Sequence, residues 1–561
     1  MEFFDMIPVP KVGCVVLTEK KNEKQSRLEG TLCLSDHHLL LSFREEFRKD
    51  LWLLYRNVDV IEKKTNNQIP GGSIVLKCKD FKILQLDFIS TDDLLNIATS
   101  LEKLSSLDQT LQYPFFFRPQ TLNLDKNQSE NGWTAFTPVS EWSQLLASHG
   151  DEWRISYLNR DYKVCNSYPS TMVVSRLIDD QMIISSAAFR EGGRFPVLCY
   201  RHEGGSILFR SGQPLCGATG KRCKEDERLL NVVLGAGRRG YIIDTRSSNQ
   251  AQSARARGGG TEIDSAYPQW RKVFKSVPRL SDLAESLSKL IEACNDISCS
   301  TSQWLSRLES SGWLSTVQRG AGRDSTLVIT SIAQIILNPD CRTIRGFEAL
   351  VEREWLQAGH PFYTRTRHGA YYPTNSQHSP HAPTFLLFLD CLYQLHYQFQ
   401  FSFEYTTDML IELFKHAYFS GYGTFLGDCE SDRVSLRLAE RTTSIWTYIN
   451  RPESLEKWMN PLYEPNLGII WPSVAPISIN LWKELYLSHT SASPWDGFIT
   501  CVTQIKQNHL AVKKIANQLR IQVRRGLDEI ICDPNTSCQT ENDQEQLSPC
   551  FAQLTLESQK T

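Results

Sequence analysis

The chain has 561 residues, 41% of them hydrophobic and 22% charged, which suits a folded protein of two to four domains. Its net charge of −2 provides no global basic field, so nucleic acid is not an expected partner. The opening MEFFDMIPVP carries two acids and no basic run, unlike a secretory signal, and the longest apolar stretch, 385–395, is interrupted by Asp390 and too short to cross a bilayer.

Sixteen cysteines are scattered along the chain. The nearest pairs are Cys216/Cys223, Cys294/Cys299 and Cys532/Cys538, and none has a second pair at zinc-ligand spacing. Free thiols in a reducing cytosol are expected, with no metal site and no cofactor.

Residues 1–107 read as strands closed by a helix. Ile74, Leu76 and Cys78 alternate with Val75, Lys77 and Lys79; after a turn at Lys79-Asp80, Leu84, Leu86 and Phe88 alternate with Gln85 and Asp87. TLCLSDHHLLLS (31–42) predicts a second hairpin turning at Ser35-Asp36. Thr91 is placed to cap a helix with Leu94, Ile97, Leu101 and Leu104 on one face. Together these predict a small β-barrel capped by a helix, a module that can bind lipid headgroups or proteins. Residues 108–131 read as a linker. A mixed α/β region follows over 132–497, with strands in FPVLCY (195–200), SILFRS (206–211) and YIIDT (241–245), and helices over 278–294 and 327–337. The polar stretch 364–384, rich in Pro and His, predicts an exposed loop.

Over 498–531 the pattern changes. Val502, Ile505, His509, Val512, Ala516, Leu519, Val523, Gly526 and Ile530 follow alternating three- and four-residue steps with basic flanks. Either a coiled coil or one amphipathic helix packed on its own domain satisfies this spacing; His509 and Gly526 weaken the seam. The tail 532–561 is polar and reads as disordered.

Three glycine-rich stretches invite a phosphate. GAGRRG (235–240) fits G-x-G-x-x-G, but a strand rather than a helix follows, and Asp244 comes too soon for a ribose contact. CGATGKR (216–222) fits C-x5-R, the spacing with which cysteine phosphatases wrap amides around a phosphate. Sixteen cysteines give about one such match by chance, and Glu225, Asp226 and Glu227 would repel a dianion, so a surface loop is the better reading and a Cys216/Arg222 enzyme the remote one. The third is QRGAGRDST (318–326), two glycines and two arginines before a helix.

The surroundings of this third loop carry a family resemblance. RFPVLCYRH (194–202), FRSGQPL (209–215), YIIDTRSSNQAQSARARGGGTE (241–262), WLSRLESSGWL (304–314), RTIRGFEALVEREWLQAGHPF (342–362), PTFLLFLDCLYQL (383–395) and YGTFLGDCES (422–431) resemble, in order, landmarks of the myotubularin phosphoinositide phosphatases. The resemblance implies a multidomain α/β chain: a PH-like GRAM β-barrel with a C-terminal helix, a cysteine-phosphatase-like α/β domain, then a coiled-coil helix.

Active myotubularins carry HCSDGWDRT. Aligned on the closing Thr326, its His falls on Gln318 and its nucleophilic Cys on Arg319. Ser and the first Asp become Gly320 and Ala321, Gly322 is kept, Trp becomes Arg323, Asp324 is kept, and the phosphate-gripping Arg becomes Ser325. A guanidinium has no lone pair to attack phosphorus, and a serine cannot form the bidentate clamp. The resemblance therefore implies a pseudophosphatase. In relatives a helix and a buried central strand lie between SSGWL and this loop; here only Ser315-Thr316-Val317 separates Leu314 from Gln318, a shortfall of about two dozen residues, the size of one helix and one strand. A variant transcript, a gene-model error and a rearranged centre all fit that gap; losing the strand would expose apolar surface and leave sheet edges unpaired.

Arg319, Arg323, Arg246, Arg255 and Arg257 are the candidates for any retained anion or lipid contact. The implied partners are active family members, numbers 6, 7 and 8, engaged through the coiled coil, besides a possible homodimer and a phosphoinositide membrane surface. The implied place is the cytoplasm, peripheral on endomembranes.

Overall fold

A computed structural model describes residues 4–21, 24–35, 37–44, 48–65, 71–106, 130–235, 237–276, 278–296, 300–319, 325–373 and 381–489, with a short helical stretch over 512–523 apart from 513, 514 and 517. The chain divides into two compact units, Met1–Asp496 and Gly497–Thr561.

The first seven strands are β1 (Lys11–Lys21), β2 (Lys24–Leu34), β3 (His38–Phe43), β4 (Leu51–Leu54), β5 (Val58–Thr65), β6 (Gly72–Cys78) and β7 (Ile83–Phe88). They form one sheet in the order β4-β3-β2-β1-β7-β6-β5. Every pairing is antiparallel. Period-two alternation puts Ile74, Leu76, Cys78, Leu84, Leu86 and Phe88 on one buried face, and helix α1 (Thr91–Ser105) covers that face with Leu94, Ile97, Leu101 and Leu104. The cap is Ser90, not Thr91: Ser90 Oγ accepts from the Asp93 amide at 3.2 Å. Thr91 is the first helical residue, and its hydroxyl accepts from the Gly71 amide at 3.0 Å. Gly71 has φ +102°, and a Cβ there would sit 2.3 Å from the Phe88 carbonyl oxygen, so this corner requires glycine.

This β-module docks on the rest of its unit through the β6–β7 turn. Phe81, at φ +71°, is buried in the main helical core and stacks on Phe414 at 5.4 Å. The fully buried Asp59 carboxylate accepts from the amides of Gly369 (2.9 Å) and Tyr371 (3.2 Å), and Tyr371 Oη donates to the Phe81 carbonyl at 2.7 Å. Lys79 Nζ donates to the Thr366 carbonyl. Within the described parts of 364–384, these bonds correct the reading of an exposed loop, although Arg367, Tyr372 and Pro373 are exposed. Thr366, Ala370, His381, Ala382 and Thr384 are buried, because the β-module takes up the backbone bonds a surface loop would give to water. Of the predicted linker 108–131, only 130 and 131 lie within the described residues.

Six short strands follow: β8 (Trp153–Ser156), β9 (Met172–Ser175), β10 (Val197–Arg201), β11 (Ile207–Arg210), β12 (Gly240–Asp244) and β13 (Trp270–Phe274). Helices α2 (Asp180–Phe189), α3 (Lys224–Leu234) and α4 (Ser248–Ala256) lie among them. The strands do not join into one sheet. β8 pairs β9 and β10 pairs β11, both antiparallel, while β12 pairs β13 in parallel, giving three separate two-stranded sheets. Among the described residues no strand bridges them. Tyr241 (64% exposed), Ile243 (52%) and Phe274 (39%) on β12 and β13 face solvent. The outer edges of these sheets are unpaired among the described residues, and these apolar side chains stand in solvent beside them.

The helical half holds the largest core. It is built from α5 (Leu280–Asn295), α6 (Thr301–Ser310), α7 (Trp313–Arg319), α8 (Ser325–Leu337), α9 (Thr384–Gln398) and α10 (Thr407–Tyr418) among other segments. α9 is apolar nearly all round and buried from Thr384 to His396, as a central helix must be. Its one acid, Asp390, accepts from Trp313 Nε1 (2.8 Å), Tyr486 Oη (2.7 Å) and Gln394 Nε2 (2.9 Å). Burial pushes the Asp390 carboxyl above its usual range, against those three bonds. No helix among the described residues is long and apolar enough to cross a membrane.

In the second unit, Val512, Ile515, Leu519, Ile521 and Val523 are each more than half exposed, with helix over 518–523. Of the predicted seam, Val512, Ala516, Leu519 and Val523 fall here; Val502, Ile505, His509, Gly526 and Ile530 lie outside the described residues, as does the tail.

Replacing Ile243 by Lys puts a charge on the open β12–β13 face without opening a cavity. Light scattering on concentrated protein should show less self-association than the parent, with unfolding free energy within ~0.5 kcal/mol. Unchanged or greater association would mean that this face is not the sticky surface.

Candidate functional site

The loop QRGAGRDST joins two helices. Gln318 and Arg319 end α7, Ser325 and Thr326 open α8, and residues 320–324 lie outside the described residues. The segment entering the loop is therefore helix, not strand. Gln318 Nε2 donates to the Val474 carbonyl at 2.7 Å, which ties this end of the loop to the chain after the last long helix. The side chains of Arg319, Arg323 and Ser325 are not described.

Two of the other candidate arginines, Arg246 and Arg255, are engaged elsewhere. Arg246 forms a bidentate pair with Asp244 (2.9 and 2.7 Å), donates to the Gly260 carbonyl at 2.9 Å and bonds Gln213. Its charge is offset by Asp244, so it is not a ready anion ligand. Arg255 Nε donates to the Gly217 carbonyl at 3.1 Å, and Arg257 is exposed after the end of α4. The structure thus places Arg246 on the Gln213 side chain and the Gly260 carbonyl, and Arg255 on the Gly217 carbonyl, beside the Cys216 loop.

That second loop is not a phosphate cradle. The Gly217 amide donates to the Gly259 carbonyl, the Gly220 amide to Gly217 and the Lys221 amide to Cys216, so these donors are consumed internally. Cys216 is buried, its Sγ donates to the Thr261 carbonyl, and burial, with Glu262 adding to it, pushes the thiol up to about 11. Arg222 is turned away onto Glu227, at 2.9 and 2.8 Å.

The acids after this loop need a correction. Asp226 does not repel a ligand; it is fully buried and accepts from Arg190 (2.9 and 2.6 Å), Ser186 (2.6 Å) and Tyr267 (2.7 Å). Arg190, also buried, bonds Glu262 as well at 2.5 Å. Burial would lower the Arg190 guanidinium, but Asp226 and Glu262 hold it above its usual range. Sequence reading missed this cluster because its members are far apart in the chain and each resembles an ordinary surface charge. The single local signal was the acidic opening of an amphipathic α3.

Comparisons with known proteins follow this layout. The description "Myotubularin-like phosphatase domain" matches residues 112–320 and 316–434, and "MTMR6-9, GRAM domain" matches residues 11–105. The chain belongs to the myotubularin family. "Myotubularin-related protein 9" of Mus musculus is 48% identical, aligned over 93% of this chain and 98% of the relative. The protein of that name in Caenorhabditis elegans is 36% identical, over 87% and 90%. "Phosphatidylinositol-3,5-bisphosphate 3-phosphatase MTMR8" of Homo sapiens is 30% identical, over 94% and 78%.

In this myotubularin the GRAM match ends at the last residue of α1, which sets the limit of the β-module. The phosphatase-domain match comes as two segments that overlap at 316–320, where α7 runs straight into the loop. A cysteine phosphatase needs a low-pKa thiolate under a ring of free amides; Cys216 has the opposite surroundings on both counts.

Alkylation of the native chain with iodoacetamide near neutral pH, read by mass spectrometry, should leave Cys216 largely unmodified while the partly exposed Cys14 and Cys33 react. Labelling of Cys216 ahead of these at slightly acidic pH would contradict the thiol state described here.

Proposed function

We propose that this myotubularin is a pseudophosphatase that acts as a regulatory subunit. It binds active myotubularin phosphoinositide 3-phosphatases and raises their activity or stability. The observation that carries the reading is the loop itself: Arg319 and Ser325 stand where the family's nucleophile and phosphate clamp are expected. Without a nucleophile there is no covalent phosphoenzyme, and without the clamp the transition-state charge is unmet. The helix entering the loop adds support, since it gives the loop no strand to hold a nucleophile beneath a phosphate.

Partner binding is assigned to 498–531. The apolar side chains exposed over 512–523 favour a helix that buries its seam against another chain. The proposed partners are active relatives such as members 6, 7 and 8, and the proposed location is cytoplasmic, peripheral on endomembranes. A second reading, a phosphoinositide-binding scaffold without a phosphatase partner, draws on the GRAM module alone.

The test is phosphate release from phosphatidylinositol 3-phosphate by this chain alone, by an active myotubularin alone, and by both. Silence alone with enhanced release together is expected, the enhancement disappearing when 498–531 is removed. Release by this chain alone would overturn the reading. The double variant Arg319→Cys with Ser325→Arg should stay at background as well, because side chains do not restore the strand that would position them; turnover by that variant would show that the loop is intact apart from two residues.

A further inference from the structure

After the last long helix the chain crosses the helical half as a coil, 465–480, with an unusual surface. Leu467 (84% exposed), Ile469 (40%), Trp471 (81%), Val474 (63%) and Ile477 (92%) all stand in solvent, while Ile470 alone is driven into the core. Between Glu464 and Lys483 there is no Asp, Glu, Lys, Arg or His. Isolated exposed apolar residues are ordinary, but five from one charge-free coil mark a surface built to meet something apolar.

The coil is strapped from beneath. The buried Arg342 guanidinium has no carboxylate partner among the described contacts; it donates to the Asn466 and Gly468 carbonyls, each at 2.8 Å. Gln398 and Gln394, one turn apart on α9, each make a reciprocal pair of bonds, to Ser473 (3.0 and 2.7 Å) and to Asn480 (2.8 and 2.9 Å). Gln318 takes the Val474 carbonyl, and the Ile470 amide satisfies the Ile336 carbonyl in the last turn of α8. The Gly468, Ala475, Ser478 and Ile479 amides are bonded within the coil, and Pro465, Pro472 and Pro476 have no donor to lose.

We propose that this ridge inserts into the hydrocarbon boundary of a lipid bilayer, independently of any phosphatase partner. The charge pattern selects that occupant. A polar partner would find no charge to pair along the coil. Hydrocarbon makes the reverse demand for few charges, and the Asn466, Gly468, Ser473 and Val474 carbonyls already have donors before the coil leaves water. An exposed tryptophan among aliphatic side chains suits the interfacial zone.

The test uses the full chain and vesicles of phosphatidylcholine alone, so that headgroup recognition by the GRAM module contributes nothing. The parent should float with the vesicles at low and at high salt, since apolar insertion is not screened. The pair Leu467→Asp with Ile477→Asp should cut the bound fraction about tenfold or more, with the thermal midpoint unchanged. Because those variants could fold poorly, brominated acyl chains offer a second measurement. They should quench part of the parent's tryptophan fluorescence, and that part should be missing in Trp471→Phe. No flotation of the parent, unaltered flotation of the Asp pair, or equal quenching in Trp471→Phe overturns the proposal. If the Asp pair instead loses self-association or partner binding while vesicle binding persists, the ridge is a protein interface and the proposal fails. None of these arms measures phosphate release, so failure here leaves the regulatory-subunit reading to its own assay.

Discussion

A β-strand must pair its backbone groups or leave them to water, and in the α/β half of this chain that requirement is met only two strands at a time. β12 with β13, β10 with β11 and β8 with β9 each close on themselves. Helices pay no such penalty, because their bonds are internal. The segment before the loop is accordingly the helix Trp313–Arg319, and the large core has gathered around helices rather than around a sheet. Tyr241 and Ile243 on β12 are left in solvent.

Two buried polar groups keep the remainder in register. Asp390 collects Trp313, Gln394 and Tyr486, so α7, α9 and the end of the domain meet at one carboxylate. Asp59 performs the same task for the β-module, holding the Gly369–Tyr371 backbone while Phe81 plugs the helical core. A buried charge without these donors would be far costlier than an apolar residue of similar size, so each cluster holds as a unit. They explain how a chain with a divided sheet still presents a well-packed helical half and a docked GRAM module.

The functional reading and the surface ridge are separate arguments that meet at Gln318. On one side, the proposed regulatory role rests on Arg319 and Ser325 standing where the family's nucleophile and clamp are expected. On the other, the Gln318 amide group helps strap the apolar coil in place. Under the proposed regulatory reading the chain must be where its partners work, and the proposed bilayer-seeking ridge would serve that need without a headgroup contact.

Much was legible from residue order alone. The alternation over 74–78 and 84–88 fixed a hairpin because a strand shows its two faces at every second residue, and the helix face Leu94, Ile97, Leu101 and Leu104 followed from the 3.6-residue period. That Arg319 cannot attack phosphorus is a property of the guanidinium, whatever surrounds it. The tertiary structure decided what depends on distant partners. Asp226 changed from a repelling surface charge to a buried acceptor because Arg190 and Tyr267 reach it from elsewhere in the chain. His381 and Thr366 changed from loop residues to buried ones because the β-module closed over them. Local pattern fixes which groups a residue brings; only packing fixes which of them meet, because the contacts that decide burial and charge join residues tens to hundreds of positions apart.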